Sequence, residues 1–113
     1  MKQLKPTQRE KNRYVAIEVL SGKKCARDDV VKAVWNSALR FLGELKASEL
    51  SLWIMDWDDE GQRGILKVNH KSIKDLRIGL SMLAGAGGSP ASVRVLGVCG
   101  TLKNAREKYL KKR

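Results

Sequence analysis

Twelve carboxylates, one histidine and two cysteines are the side chains here that could hold a metal or move a proton. The densest group is DWDDEG at 56–61, with four acids in six residues. Oxygen-rich loops of this kind bind hard cations, but the bidentate glutamate that such a loop needs downstream does not follow. A solvated hairpin tip, or an acidic patch facing a basic protein, is the better reading. His70 stands at the end of an apolar segment with no cysteine beside it; a surface residue leading into a helix is favoured over a general base or ligand. Cys25 and Cys99 lack metal-ligand spacing and read as reduced thiols. GAGG at 85–88 follows a helical pattern rather than opening one, and no GK[ST] comes after it, so a phosphate-cradling P-loop is excluded. No serine has a paired base and no carboxylate pair has a supporting motif. The sequence assigns no catalytic residue and no metal ligand.

What remains is positive charge, and its distribution is uneven. The net charge is +11; residues 1–27 contribute +6, residues 28–100 are neutral, and residues 101–113 contribute +5. Ends of this kind suit a polyanion, because each neutralised phosphate releases counterions. A solubilising surface is the competing account. No apolar run is long enough to span a bilayer. The first residues, MKQLKPTQREKNR, lack the apolar centre of a signal peptide, so the cytoplasm is the expected compartment.

The elements that must carry this charge follow from hydrophobic period. Residues 13–21 alternate as a strand, with Val15, Ile17 and Val19 on one face and Tyr14, Ala16 and Glu18 on the other. Residues 28–43 read as a helix capped by Asp28 or Asp29 and stopped by Gly43. A polar connector at 44–49 leads to an apolar run at 50–57 with strand composition but poor period. DDEGQ is a turn, and 63–69 alternate again, making a hairpin. A second helix at 72–85 has Ser72 and Asp75 in capping-box positions. A loop at 84–90 precedes a fourth strand at 91–98. Thr101 can cap a last basic helix, with Leu102, Ala105 and Tyr109 on one face. The predicted fold is α+β: a split βαβ arrangement, βαββαβ, in which a four-stranded antiparallel sheet carries two helices on one face and a basic C-terminal helix follows. A basic arm at 1–12, a core domain at 13–100 and the helix at 101–113 divide the chain.

Sheets of this topology can read RNA by stacking bases on aromatics of the first and third strands. In RGILKVNH, Ile65 and Lys67 occupy the two stacking positions, and Tyr14 alone is a suitably placed aromatic on the first strand. The sheet is therefore not expected to read bases in that manner. Lys67 offers a phosphate contact or is simply solvated. The terminal helix is expected to cover this open face, with Lys103, Arg106 and Lys108 pointing outward.

Four segments, LKPTQREKNRYVAIEVLS, AVWNSALRFLGEL, RGILKVNH and VRVLGVCGTLKNAREKYLKK, together resemble the archaeal ribonuclease P protein component 2 family. The likeness runs over nearly the whole chain; Cys99 departs from it, standing where a small polar residue is expected. The resemblance implies an RNA-binding subunit of an endonuclease that removes the 5′ leader from precursor tRNA. It implies that the chemistry and its magnesium ions belong to the RNA subunit, so that the protein binds no cofactor. Expected partners are ribonuclease P RNA, ribonuclease P protein component 3 and, within a heterotetramer, a second copy of the chain; precursor tRNA is met through the complex. Arg9, Lys11 and Arg13 on the arm and Lys103, Arg106 and Lys108 on the last helix are assigned phosphate contacts that position RNA without reading its sequence. Phe41, Leu45, Trp53 and Trp57 are candidates for a protein interface, as large apolar groups near an edge. A general RNA-binding or ribosome-associated protein, and a protein-interaction module with solubilising ends, stay open as alternatives.

Overall fold

In the computed structural model, which describes residues 11–110, the alternating segment forms β1 (Asn12–Ser21). Val15, Ile17 and Val19 face the core, as the period predicts. β1 is central, flanked on one side by β3 (Arg63–Asn69) and on the other by β5 (Ser89–Cys99). β2 (Trp53–Asp58) lies outside β3, and the two-residue β4 (Gly85–Ala86) lies outside β5. All neighbours are antiparallel.

Five strands thus replace the expected four. The fifth arises in the segment read as a loop: Gly87 and Gly88 both take positive φ, 59° and 79°, the backbone that tight two-residue hairpins need and that glycine adopts without strain. Gly85 and Ala86 consequently pair back on Pro90 and Ser89.

Two helices cover the inner face. α1 (Arg27–Glu49) contributes Val30, Val34 and Ala38, and α2 (Ile73–Ser81) contributes Leu76 and Leu80, to a core shared with Val15, Ile17, Leu66 and Val68. Burying each of the larger side chains favours folding by about 1.5–3 kcal/mol. The helices meet where the Ser37 hydroxyl donates to the Gly79 carbonyl.

Three local expectations are corrected. The N-cap of α1 is Ala26, and Asp29 acts from inside the first turn by accepting the Ala26 N–H at 3.2 Å. Gly43 does leave helical geometry (φ 84°, ψ 166°), but residues 44–49, expected as a connector, resume the helix beyond it. Glu, Leu, Lys and Ala in that stretch favour helix, and Ala47 is fully buried. Ser72 makes no capping bond to α2. A single 3₁₀ turn (His70–Ser72) precedes that helix, capped by the Asn69 carboxamide accepting the Lys71 N–H, while Ser72 Oγ donates to the Glu49 carbonyl.

The register carries two one-residue slips, each a bulge that moves every later side chain to the other face. Between β2 and β3, Ile54 faces Leu66 while Asp56 faces Ile65, leaving Met55 as the extra residue. Between β1 and β5, Val95 faces Ile17 while Gly97 faces Ala16, leaving Leu96 as the extra residue. The first slip explains the poor period of the apolar run at 50–57. It turns Trp53 and Asp56 to the outer face and Ile54 and Trp57 to the inner one.

Candidate nucleic-acid interface

On the outer face the register stacks three rows of side chains. Trp53, Lys67, Tyr14 and Cys99 form the first; Asp56, Ile65, Ala16 and Gly97 the second; Asp58, Arg63, Glu18 and Arg94 the third. Over the second row lies α3 (Leu102–Ala105), which continues through Arg106–Leu110 as a wider π-helical turn. Thr101 caps it as expected, its hydroxyl oxygen accepting the Asn104 N–H at 3.2 Å.

α3 docks on the open face, in accord with the sequence expectation. Ala105, Ala16 and Ile65 are each fully buried. Tyr109 fits where Gly97 has no side chain: a Cβ at residue 97 would stand 1.9 Å from the Tyr109 Oη. Arg63 Nη1 donates to the Tyr109 carbonyl at 3.3 Å. Arg106 donates through Nε and Nη2 to the two oxygens of Asp56. Asp56 and Gly97 are each the residue that follows a bulge, so both slips of register serve the seat of this helix.

Beside the seat, Glu18 accepts from Arg63 on one neighbouring strand, at 3.2 Å, and from Arg94 on the other. Partial burial works against its charge, but the hydrogen bonds from Arg63 and Arg94, with their positive charges, hold the carboxyl below the usual glutamate value. One carboxylate thereby crosslinks three strands.

The assigned cations separate into groups. Lys103, Arg106 and Lys108 are exposed on α3, although the Arg106 guanidinium is engaged by Asp56. Lys67 is half-buried on the same face of the sheet. Arg13 pairs with Val68, which places it on the inner side, and donates to the Asn12 carbonyl at 3.0 Å. Lys11 is exposed, and its carbonyl accepts the His70 N–H at 2.8 Å and lies 3.0 Å from His70 Nδ1. His70 therefore ties the start of β1 to the turn before α2. Arg9 lies outside the described residues.

The four apolar candidates do not form one patch. Phe41 and Leu45 are exposed on α1, with the Arg40 guanidinium 5.3 Å from the Phe41 ring centre. Trp53 is exposed on the outer face, and Trp57 is half-buried on the inner one, donating from Nε1 to Asp59 at 2.8 Å. The acidic tip is internally engaged as well: Asp58 accepts the Glu60 N–H at 3.1 Å. Among the described residues no three His, Cys, Asp or Glu side chains are grouped to hold a metal ion, and no helix is long and apolar enough to cross a membrane.

Sequence reasoning missed the Arg63–Glu18–Arg94 crosslink, whose signal is visible only once strand order is known. It also missed Gln62. From a left-handed backbone position (φ 53°) its carboxamide accepts the Cys25 N–H at 2.8 Å and donates to the Cys25 carbonyl at 3.1 Å. That clasp joins the loop after β1 to the hairpin.

Comparison with known proteins agrees with this arrangement. Residues 13–110 match the model of the Rpp14/Pop5 family. Ribonuclease P protein component 2 of Thermococcus kodakarensis is 39% identical over 109 residues, which are 96% of this chain and 91% of the relative. The Methanosarcina mazei protein of the same name is 38% identical over 110 residues, covering 97% and 93%. A chain in the cryo-EM structure of yeast ribonuclease MRP shares the fold with a TM-score of 0.69 at 16% identity, over 82% of this chain and 76% of that one. With a match of this extent, and relatives of this identity along almost its full length, the chain belongs to the Rpp14/Pop5 family.

Proposed function

We propose that this chain is an RNA-binding protein subunit of ribonuclease P, supporting the catalytic RNA as it removes the 5′ leader from precursor tRNA. The observation that carries the reading is the placement of charge. A neutral central stretch is flanked by ends of +6 and +5, and residues 102–110 of the C-terminal end are fixed on the sheet as a helix with Lys103 and Lys108 exposed. Names shared by relatives along the same length supply the particular RNA.

In this reading the protein contributes position and charge, and the RNA with its magnesium ions contributes the chemistry. Lys103 and Lys108 contact phosphates from α3, and Lys67 adds a contact from the strand beneath. Arg106 has a double duty, anchoring α3 through Asp56 and adding positive potential at the surface. Lys11 and Arg13 form a second cluster of phosphate contacts at the start of β1, and Arg9 is given the same role from its charge alone. Protein component 3 and a second copy of the chain are the protein partners, with Phe41 and Leu45 on the helix layer as their contacts. The compartment is the cytoplasm.

A salt titration of binding to ribonuclease P RNA tests the reading. Each neutralised phosphate contributes about 0.9 to the negative slope of log affinity against log salt in duplex regions. The slope is expected to amount to several such units, and Lys103→Ala and Lys108→Ala should each reduce it by about one. Affinity indifferent to salt would refute phosphate binding, and equal affinity for unrelated structured RNA would favour a general RNA-binding protein.

A further inference from the structure

The first outer row holds a feature that phosphate binding does not use. Trp53 is 65% exposed on β2, the edge strand of the sheet, directly opposite Lys67. Lys67 in turn lies opposite Tyr14 on β1. Directly paired residues stand with Cβ atoms about 4.5–5.5 Å apart on one face, so an indole, an ammonium and a phenol follow one another across three strands. Single-stranded nucleic acid is recognised by this combination: an aromatic face takes a base, and an adjacent cation takes the phosphate beside it.

We infer that Trp53, with Lys67 and Tyr14, forms a stacking site for an unpaired nucleotide of RNA. The inference rests on the RNA-binding reading above and adds a ligand class to it: a single-stranded base rather than the backbone of a folded helix. It also revises the expectation for this sheet. The aromatic missing from the third strand is supplied from the neighbouring edge strand, and the bulge at Met55 places Trp57 on the other face while Trp53 stays on this one.

The surroundings of Trp53 favour RNA over a protein partner. A protein-docking surface surrounds its anchor with further apolar groups. Of the other exposed large apolar residues among those described, Leu39, Phe41 and Leu45 belong to α1, and Ile78 and Met82 to α2 and its C-cap, on the other side of the sheet. Leu20, which is exposed on the outer face, lies toward the far end of β1, opposite Ser92. Trp53 instead has a cation and a hydroxyl-bearing ring as its row neighbours.

The test uses the full-length protein and a short single-stranded oligoribonucleotide of mixed sequence, with a duplex of the same sequence as comparison. Trp53→Ala is expected to weaken single-strand affinity by roughly ten-fold to a hundred-fold and to leave duplex affinity and the salt slope unchanged. Trp53→Phe, which keeps a ring, should restore most of the loss. Lys67→Ala should reduce the salt slope by about one. Circular dichroism of the Trp53 variants separates a lost site from a lost fold, and the exposed position predicts unchanged spectra. Unaltered single-strand affinity in Trp53→Ala overturns the inference. So does loss of affinity for protein component 3 with RNA affinity kept, which makes Trp53 a protein contact. If the parent protein binds ribonuclease P RNA but not the single strand, the stacking site is refuted and the proposed function stands. If it binds the single strand but shows no preference for ribonuclease P RNA, the proposed function fails and the stacking site stands.

Discussion

Glu18 shows how one side chain can be silent in a sequence and central in a structure. In the alternating segment it is simply an outward-facing acid of β1. Strand order then sets Arg63 on one side of it and Arg94 on the other, and both donate to it. Because its carboxyl is held below the unfolded glutamate value, the folded state binds its proton less readily than the unfolded chain does. The stability this contributes is present above the unfolded value and is lost as pH falls through the lower folded one. Thermal melts from neutral to acidic pH should show the melting temperature falling across the carboxylate range, and Glu18→Gln should flatten that fall. Parallel curves for the two proteins would show that Glu18 does not carry the dependence. The same limit applies to Gln62, whose clasp on Cys25 depends on contacts 37 residues apart in the chain.

Helices and strands were legible wherever their period is regular. β1, β3, the first part of α1 and the cap of α3 follow directly from alternation, helical spacing and Thr101. Legibility failed where a short-range rule met a long-range one. The run at 50–57 has poor period because the bulge at Met55 switches faces within it, and no count of apolar residues locates a bulge. Gly43 carries a stop signal and does break the helix, yet burial of Ala47 continues it on the far side. Docking of α3 was expected from its apolar stripe, but the register that seats it was not. Gly97 is the most sensitive point of that seat. Gly97→Ala drives a Cβ into the Tyr109 hydroxyl, and overpacking of this kind destabilises by about 1–3 kcal/mol. The same change in a Tyr109→Ala background should have a much smaller effect, since the obstructing ring is gone. Thermal unfolding of the four proteins closes the cycle; additive losses would mean that Tyr109 does not occupy the space above Gly97.

At the scale of the molecule, two bulges, a crosslinking glutamate and an arginine–aspartate pair hold a basic helix across the face that an open four-stranded sheet would leave bare. The architecture positions charge: Lys103 and Lys108 stand exposed on a helix fixed across the sheet. Its family and the broad nature of its ligand were legible from the sequence, through the charged ends and the ordered motifs. The engagement of Arg106 by Asp56 was not, because it depends on the bulge that turns Asp56 to the outer face and on the seat of the helix above it. Reconstitution tests the central claim most directly. The full-length chain, protein component 3 and ribonuclease P RNA are combined, and cleavage of precursor tRNA is followed as magnesium is lowered. The account predicts correct removal of the 5′ leader at magnesium concentrations where the RNA alone is inactive, with the effect lost when this chain is left out. An unchanged magnesium requirement would contradict it.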